Sequence, residues 1–127
     1  MRLRYLLSVS IILILVSCNT DDGENTGVNA CGTNNVLEEL DWLREEIVRR
    51  EQSTSPDIQF CYISLANLSG QDIFIYRDCN PTINKIEPVL NCEGTILNTS
   101  ERTIDLSQLT NERIIWKAAN FACEINP

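Results

Sequence analysis

A chain of 127 residues, 43% hydrophobic and only 6% aromatic, suits one compact domain. Its 10 basic residues against 18 acidic ones give a formal charge of −8, which argues against nucleic acid as a partner, because phosphate binding draws on clustered Lys and Arg. Histidine is absent, which excludes Ser-His and Cys-His nucleophile pairs, imidazole metal ligands and a histidine pH switch, while six cysteines in so short a chain point to an oxidising compartment.

Residues 1–17 read as an export signal. Arg2 and Arg4 form a charged start, and an apolar run from Leu6 to Val16 follows, broken only by Ser8 and Ser10. The run falls short of the roughly 20 residues that a membrane-spanning helix needs. Asp21, Asp22 and Glu24 stand where a stop-transfer segment would be basic. No Ala-x-Ala cleavage site lies nearby. Instead, Leu15-Val16-Ser17-Cys18 resembles the bacterial lipobox. That resemblance implies that the Cys18 thiol receives a diacylglycerol, that a dedicated peptidase cuts just before it, and that the new amino terminus is N-acylated. Each buried CH₂ contributes about 0.8 kcal/mol, so two or three chains make attachment effectively permanent. No other cofactor is expected. Loss of Arg2 and Arg4 leaves a formal −10, so the lipid, rather than basic side chains, is the expected membrane contact. The expected location is the cell envelope, on the outer membrane, facing either the periplasm or the outside.

Residues 18–30 are polar, acidic and rich in Gly and Asn, and read as a tether with a random-coil reach of roughly 20 Å. Asn19-Thr20-Asp21-Asp22-Gly23-Glu24 resembles the acidic stretch that follows the lipid-bearing cysteine in many surface-exposed lipoproteins of Bacteroidota; a plain solvated linker reads the same way. Asn19, rather than Asp, after Cys18 speaks against inner-membrane retention.

The folded domain is expected over residues 31–127. Asn35 can cap a helix over Val36 to Glu51, with Glu38 completing an Asn-x-x-Glu box. Val36, Leu37, Leu40, Leu43, Ile47 and Val48 then share one stripe, and Glu45–Arg49 and Glu46–Arg50 are favourable pairs on the outer face. Ser53-Thr54-Ser55-Pro56 ends the helix, since the residue before a proline avoids the helical region. From Asp57 the apolar pattern changes period: Ile58, Phe60 and Tyr62 alternate with Gln59, Cys61 and Ile63, a strand buried on both faces for part of its length. Asn67-Leu68-Ser69-Gly70 turns the chain and Ile73–Tyr76 returns, making a hairpin. Asn91-Cys92-Glu93-Gly94 forms a second turn between Val89-Leu90 and Thr95–Leu97. Arg113–Lys117 is apolar enough to be buried, as a strand by its β-branching or as a short helix. The expected architecture is α+β, one N-terminal amphipathic helix packed on a small antiparallel sheet of four or five strands, stapled by disulfides.

With Cys18 lipidated, five cysteines remain, so at most two intrachain bridges form. None of their spacings gives Cys-x-x-Cys, which disfavours zinc ribbons and thioredoxin-like motifs. Spacing alone does not dictate the pairs. The expectation is Cys79–Cys92, across a loop joining neighbouring strands, and Cys31–Cys123, tying the domain ends together. Cys61 would then be a buried, inert thiol.

No catalytic constellation stands out. Glu38, Glu39, Asp41, Glu45 and Glu46 lie off the apolar stripe, the Ser and Thr residues have only Lys85 and Lys117 as bases, and neither a phosphate loop nor a calcium loop is present. No catalytic or metal-binding residue is assigned. Trp42 falls opposite the stripe among Glu38, Glu45 and Arg49; it is either an anchor for a protein partner or is covered by a C-terminal segment. Trp116 and Tyr76, in strand-like runs, read as core. The segment Leu37-Glu38-Glu39-Leu40-Asp41-Trp42-Leu43, with the later Asn91-Cys92-Glu93-Gly94 turn, resembles a group of short Bacteroidota lipoproteins without established activity, so the resemblance implies no catalytic residues. The leading expectation is a lipid-anchored, non-enzymatic envelope protein, a small binding or accessory module whose protein partner is unknown. The competing class is a small envelope enzyme, either a hydrolase with paired carboxylates or a redox protein using Cys61. A purely structural envelope component is a third class.

Overall fold

A computed structural model of the chain describes residues 27–125. The export signal, Cys18 and residues 19–26 of the tether lie outside the described residues. The helical segment is α1 (Val36–Glu39) followed by α2 (Asp41–Glu51). A 3₁₀ turn (Pro56–Phe60) leads into β1 (Cys61–Leu68), β2 (Gln71–Asp78) and β3 (Val89–Leu90), and a second 3₁₀ turn (Leu106–Gln108) precedes β4 (Thr110–Lys117). The four strands form one antiparallel sheet in the order β3-β2-β1-β4. The α+β architecture, with a four-stranded sheet and two disulfides, is the one the sequence suggests.

The helix is broken where no Gly or Pro marks it. Leu40 has φ −92° and ψ 101°, against a ψ near −42° in a continuous helix. Arg44 offsets the interruption: its Nη1 donates to the Glu38 carbonyl at 2.8 Å, and its Nη2 reaches Asp41 at 2.6 Å. Asn35 caps α1 as expected, its side chain accepting from the Leu37 N–H. The reciprocal carboxylate is Glu39, not Glu38: Glu39 Oε1 accepts from the Asn34 and Asn35 N–H groups, each at 3.0 Å. Glu46, not Glu45, holds both Arg49 and Arg50 at 2.6 Å.

One sheet face packs on the helices. Val36 and Leu43 are buried with Ile63, Leu65, Phe74 and Leu90, and Leu37, Leu40, Ile47, Tyr76 and Trp116 pack around them. Val48 slips out of this stripe and is 43% exposed. Val28 and Ala30, tether residues by composition, also pack on this cluster, and Val28 accepts from the Val36 N–H at 2.9 Å. Packing therefore begins before Cys31. On the other face Ala66, Ile73, Ile75 and Val89 are buried beneath Leu68, Leu97, Ile104, Leu106 and Leu109. β1 is thus covered on both faces at its centre.

The expected strand from Asp57 begins later, at Cys61. Pro56 opens a 3₁₀ turn, with the Ser55 side chain accepting from the Asp57 N–H, because a proline at the first position needs no N–H partner. The β1–β2 turn is a two-residue loop, with Ser69 at φ 51° and Gly70 at φ 87° closed by the Leu68–Gln71 pair. Positive φ at both positions is the turn geometry that matches strand twist. β4 is a strand, but an exposed edge one rather than buried: Ile114 is 39% exposed, and two register shifts interrupt its pairing with β1.

The four cysteines expected to pair do so, with partners exchanged. Cys31 joins Cys92 and Cys79 joins Cys123, with Cα atoms 5.7 and 6.2 Å apart. β3 pairs with β2 at Phe74 and Ile75, which carries Cys92 toward the start of β2, where its Sγ lies 3.7 Å from the Asp72 carbonyl. Cys79 follows the far end of β2, about 23 Å from Asp72 at strand rise, so a Cys79–Cys92 bridge is out of reach. The N-terminal segment supplies Cys31 instead, its N–H donating to Asp72 Oδ2 at 2.8 Å. The bridges close 61 and 44 residues of sequence, each contributing about 4 kcal/mol in the loop-closure picture.

Candidate functional site

The residues singled out from sequence do not converge on one site. Cys18 lies outside the described residues. Trp42 is not a free anchor: it is half-buried, meets the Phe74 ring edge-on at 5.1 Å, and donates from Nε1 to the Cys92 carbonyl at 2.9 Å. What covers it is the sheet and the turn after β3, rather than a C-terminal segment. After the break at Leu40, α2 turns Trp42 as well as Leu43 toward the sheet and leaves Val48 exposed. Cys61 is the one free thiol among the described cysteines. It opens β1 half-buried, rather than fully buried, with Sγ 3.7 Å from the Asp57 carbonyl and 3.9 Å from Asp78 Oδ2. Burial pushes its pKa up and the Asp78 carboxylate adds to this, so the thiolate is disfavoured.

Two carboxylates near the sheet, Glu46 and Asp78, are tied to cations. Burial alone would raise Glu46 and Asp78. Arg49 and Arg50 outweigh that at Glu46, as do Lys85 and the Asn80 N–H at Asp78, holding both carboxyls below their ordinary values. Arg50 also lies over the Tyr76 ring, 4.4 Å from its centroid. These residues sit on the helix side of the sheet, where a recess of about 620 Å³ also opens between Arg50, Glu51 and Trp116. Within it Trp116 Nε1 donates to Glu51 at 3.3 Å and Arg50 holds Glu46 at 2.6 Å.

The opposite sheet face carries a different arrangement. A groove of about 580 Å³ runs across β1 and β4, lined by Tyr62, Ser64, Arg77, Glu112, Ile114 and Ile125, with Arg113 also on it. Register explains the assembly: Tyr62 on the central strand pairs with Arg77 on β2 and Lys117 on β4, and Ser64 pairs with Ile75 and Ile114. Arg77 spans the floor. Its Nε and Nη2 hold Glu112 at 3.0 and 2.8 Å, and its Nη1 holds Glu87 at 2.5 Å. Burial works against the Arg77 charge, but the hydrogen bonds to Glu112 and Glu87 outweigh it and raise the guanidinium pKa. Burial likewise pushes Tyr62 up, keeping its phenol protonated, and Phe121 packs edge-on against its ring at 5.7 Å.

Ser64 is the exception in this groove. It is 1% exposed, and its Oγ is the one buried side-chain polar atom among the described residues without a hydrogen-bond partner. None of Ser64, Arg77 and Glu112 was singled out from sequence. The visible signal was Ser64 itself, a lone hydroxyl in the apolar run Ile63-Ser64-Leu65-Ala66. Arg77 and Glu112 are 35 positions apart and have no local signature.

Among the described residues no group of three or more His, Cys, Asp or Glu is placed to hold a metal ion, and no helix is long and apolar enough to cross a membrane. The chain matches no protein-family model, and comparison with curated proteins and with solved structures finds no match.

Proposed function

We propose that this chain is a lipid-anchored cell-envelope protein of the outer membrane, acting as a small non-enzymatic binding or accessory module. The observation that carries the reading is Leu15-Val16-Ser17-Cys18, placed directly after a charged start and a short apolar run. A single thioether-linked lipid at Cys18 tethers the domain through the acidic segment that follows. Two bridges among the remaining cysteines agree with an oxidising compartment.

The geometry supports binding rather than catalysis. Glu87 and Glu112 are both engaged by Arg77, Asp78 is engaged by Lys85, and the Cys61 thiol is pushed away from its reactive form. A general acid, base or nucleophile needs a group poised to exchange its proton or attack. The outer-face groove offers instead a shaped apolar wall with a few polar contacts, the composition of a binding site.

Carbonate extraction of membranes from cells expressing the wild-type chain or Cys18→Ser tests the reading. The wild type stays with the membrane and incorporates labelled palmitate; Cys18→Ser does neither. Retention of Cys18→Ser after the wash, or no label in the wild type, removes the lipid anchor from the proposal.

A further inference from the structure

The groove across β1 and β4 contains a hydroxyl that neither packing nor ion pairing accounts for. Ser64 sits between Ile75 and Ile114 in the sheet register, where alanine would fill the slot without an unmet hydrogen bond. Leaving a buried hydroxyl unpaired costs free energy that a nonpolar residue avoids. The surroundings are apolar and partly open. Ile114 and Ile125 line the same groove and remain 39% and 37% exposed, and the Tyr62 ring forms a further wall. The volume of about 580 Å³ lies within the range of small-molecule pockets.

We propose that this groove binds an uncharged amphiphile, an alkyl or aryl body bearing one hydroxyl or carbonyl group, with that polar group paired to Ser64 Oγ. A serine hydroxyl both donates and accepts, so it matches either group. A charged ligand fits less well, because the buried charges of the groove are closed on themselves. Arg77 is held by Glu112 at 2.8 Å and by Glu87 at 2.5 Å, leaving neither a free guanidinium edge nor a free carboxylate at the floor. Arg113 is exposed and donates to the Asn29 carbonyl at 3.0 Å, so it meets solvent rather than the floor. The formal charge of −8 further disfavours an anion. Ser64 Oγ is closed to water in the empty groove, so an occupant reaches it only with side-chain movement in the wall, whose Ile114 and Ile125 are exposed and free to change rotamer quickly. The inference rests on the binding-module reading and is independent of the lipid anchor.

The test is isoleucine methyl NMR of the full chain, held in amphipol and titrated with 1-hexanol and, separately, with hexanoate. 1-Hexanol is expected to give saturable shifts at Ile114 and Ile125. Ser64→Ala should weaken its binding about tenfold, the effect of one lost hydrogen bond, and Ile125→Trp should abolish it by filling the groove. Hexanoate should bind at least tenfold more weakly than 1-hexanol. Binding of 1-hexanol that ignores Ser64→Ala, or hexanoate binding as tightly, overturns the ligand class while leaving a binding groove. No saturable shift with either probe overturns the inference and removes binding at this face with it.

Discussion

Trp42 and Phe74 meet edge to face at 5.1 Å, and the same indole donates to the carbonyl of Cys92, the residue bridged to Cys31. One side chain thus joins α2, β2 and the turn after β3. Trp42→Ala is expected to destabilise the fold by about 3 kcal/mol, the lower end of the range for large aromatic truncations, because the residue is half-buried. Urea unfolding of the two proteins measures it. A loss below about 0.5 kcal/mol, the usual size of a surface substitution, would return Trp42 to the exposed face.

Gly94 tests the same contact from the other side. A Cβ there would stand 2.7 Å from Trp42 Cδ2, and the residue has φ 77°. Gly94→Ala should therefore lower stability by about 1–3 kcal/mol through steric conflict and backbone strain. Gly32 has φ 73° and open space around it, so Gly32→Ala should cost less. Thermal or urea unfolding of the pair gives the comparison.

Non-reducing peptide mapping after alkylation should recover Cys31 linked to Cys92 and Cys79 linked to Cys123, with alkylated Cys61. A Cys31→Ala, Cys92→Ala double variant is expected to lose about 2–5 kcal/mol. Recovery of Cys79 linked to Cys92 would contradict the placement of β3 beside the start of β2.

Ser64→Ala should raise the stability of the unliganded protein by about 1 kcal/mol, since it removes a buried hydroxyl without a partner. An increase in the urea midpoint with an unchanged slope is the expected result. A decrease would show that the hydroxyl is satisfied in the folded chain.

Acid and base should weaken the fold for different reasons. Glu46 and Asp78 have folded pKa values below their ordinary ones. Their contribution is present above about pH 4 and is lost as the pH falls through the lowered values. Lys85→Gln should flatten the Asp78 part of that loss. Tyr76 runs the other way, pushed up to about 12 by burial first and then by Glu46. Its contribution is intact below about pH 10 and is lost as the pH rises toward the folded value. Unfolding midpoints measured across both ranges check the two signs.

Local chemistry made part of this fold legible. Asn35 caps α1, and Ser69-Gly70 supplies the positive φ values that close the β1–β2 hairpin. The mixed apolar run of β1 announces burial on both faces. The break at Leu40 carries no such mark, and a continuous helix over the same residues would put Trp42 on the outer side. Disulfide partners were likewise beyond reach, because they depend on which end of β2 meets β3. The outer groove joins residues from three strands, and the Arg77–Glu112 pair exists only once β1 lies between β2 and β4.

Mass spectrometry of the N-terminal peptide, taken from the membrane fraction of cells expressing the wild-type chain, addresses the lipid tether itself. The prediction is a mature chain that begins at Cys18 and carries diacylglycerol on its sulfur. A chain cut at another bond, or one beginning at Cys18 with an unmodified thiol, would contradict it.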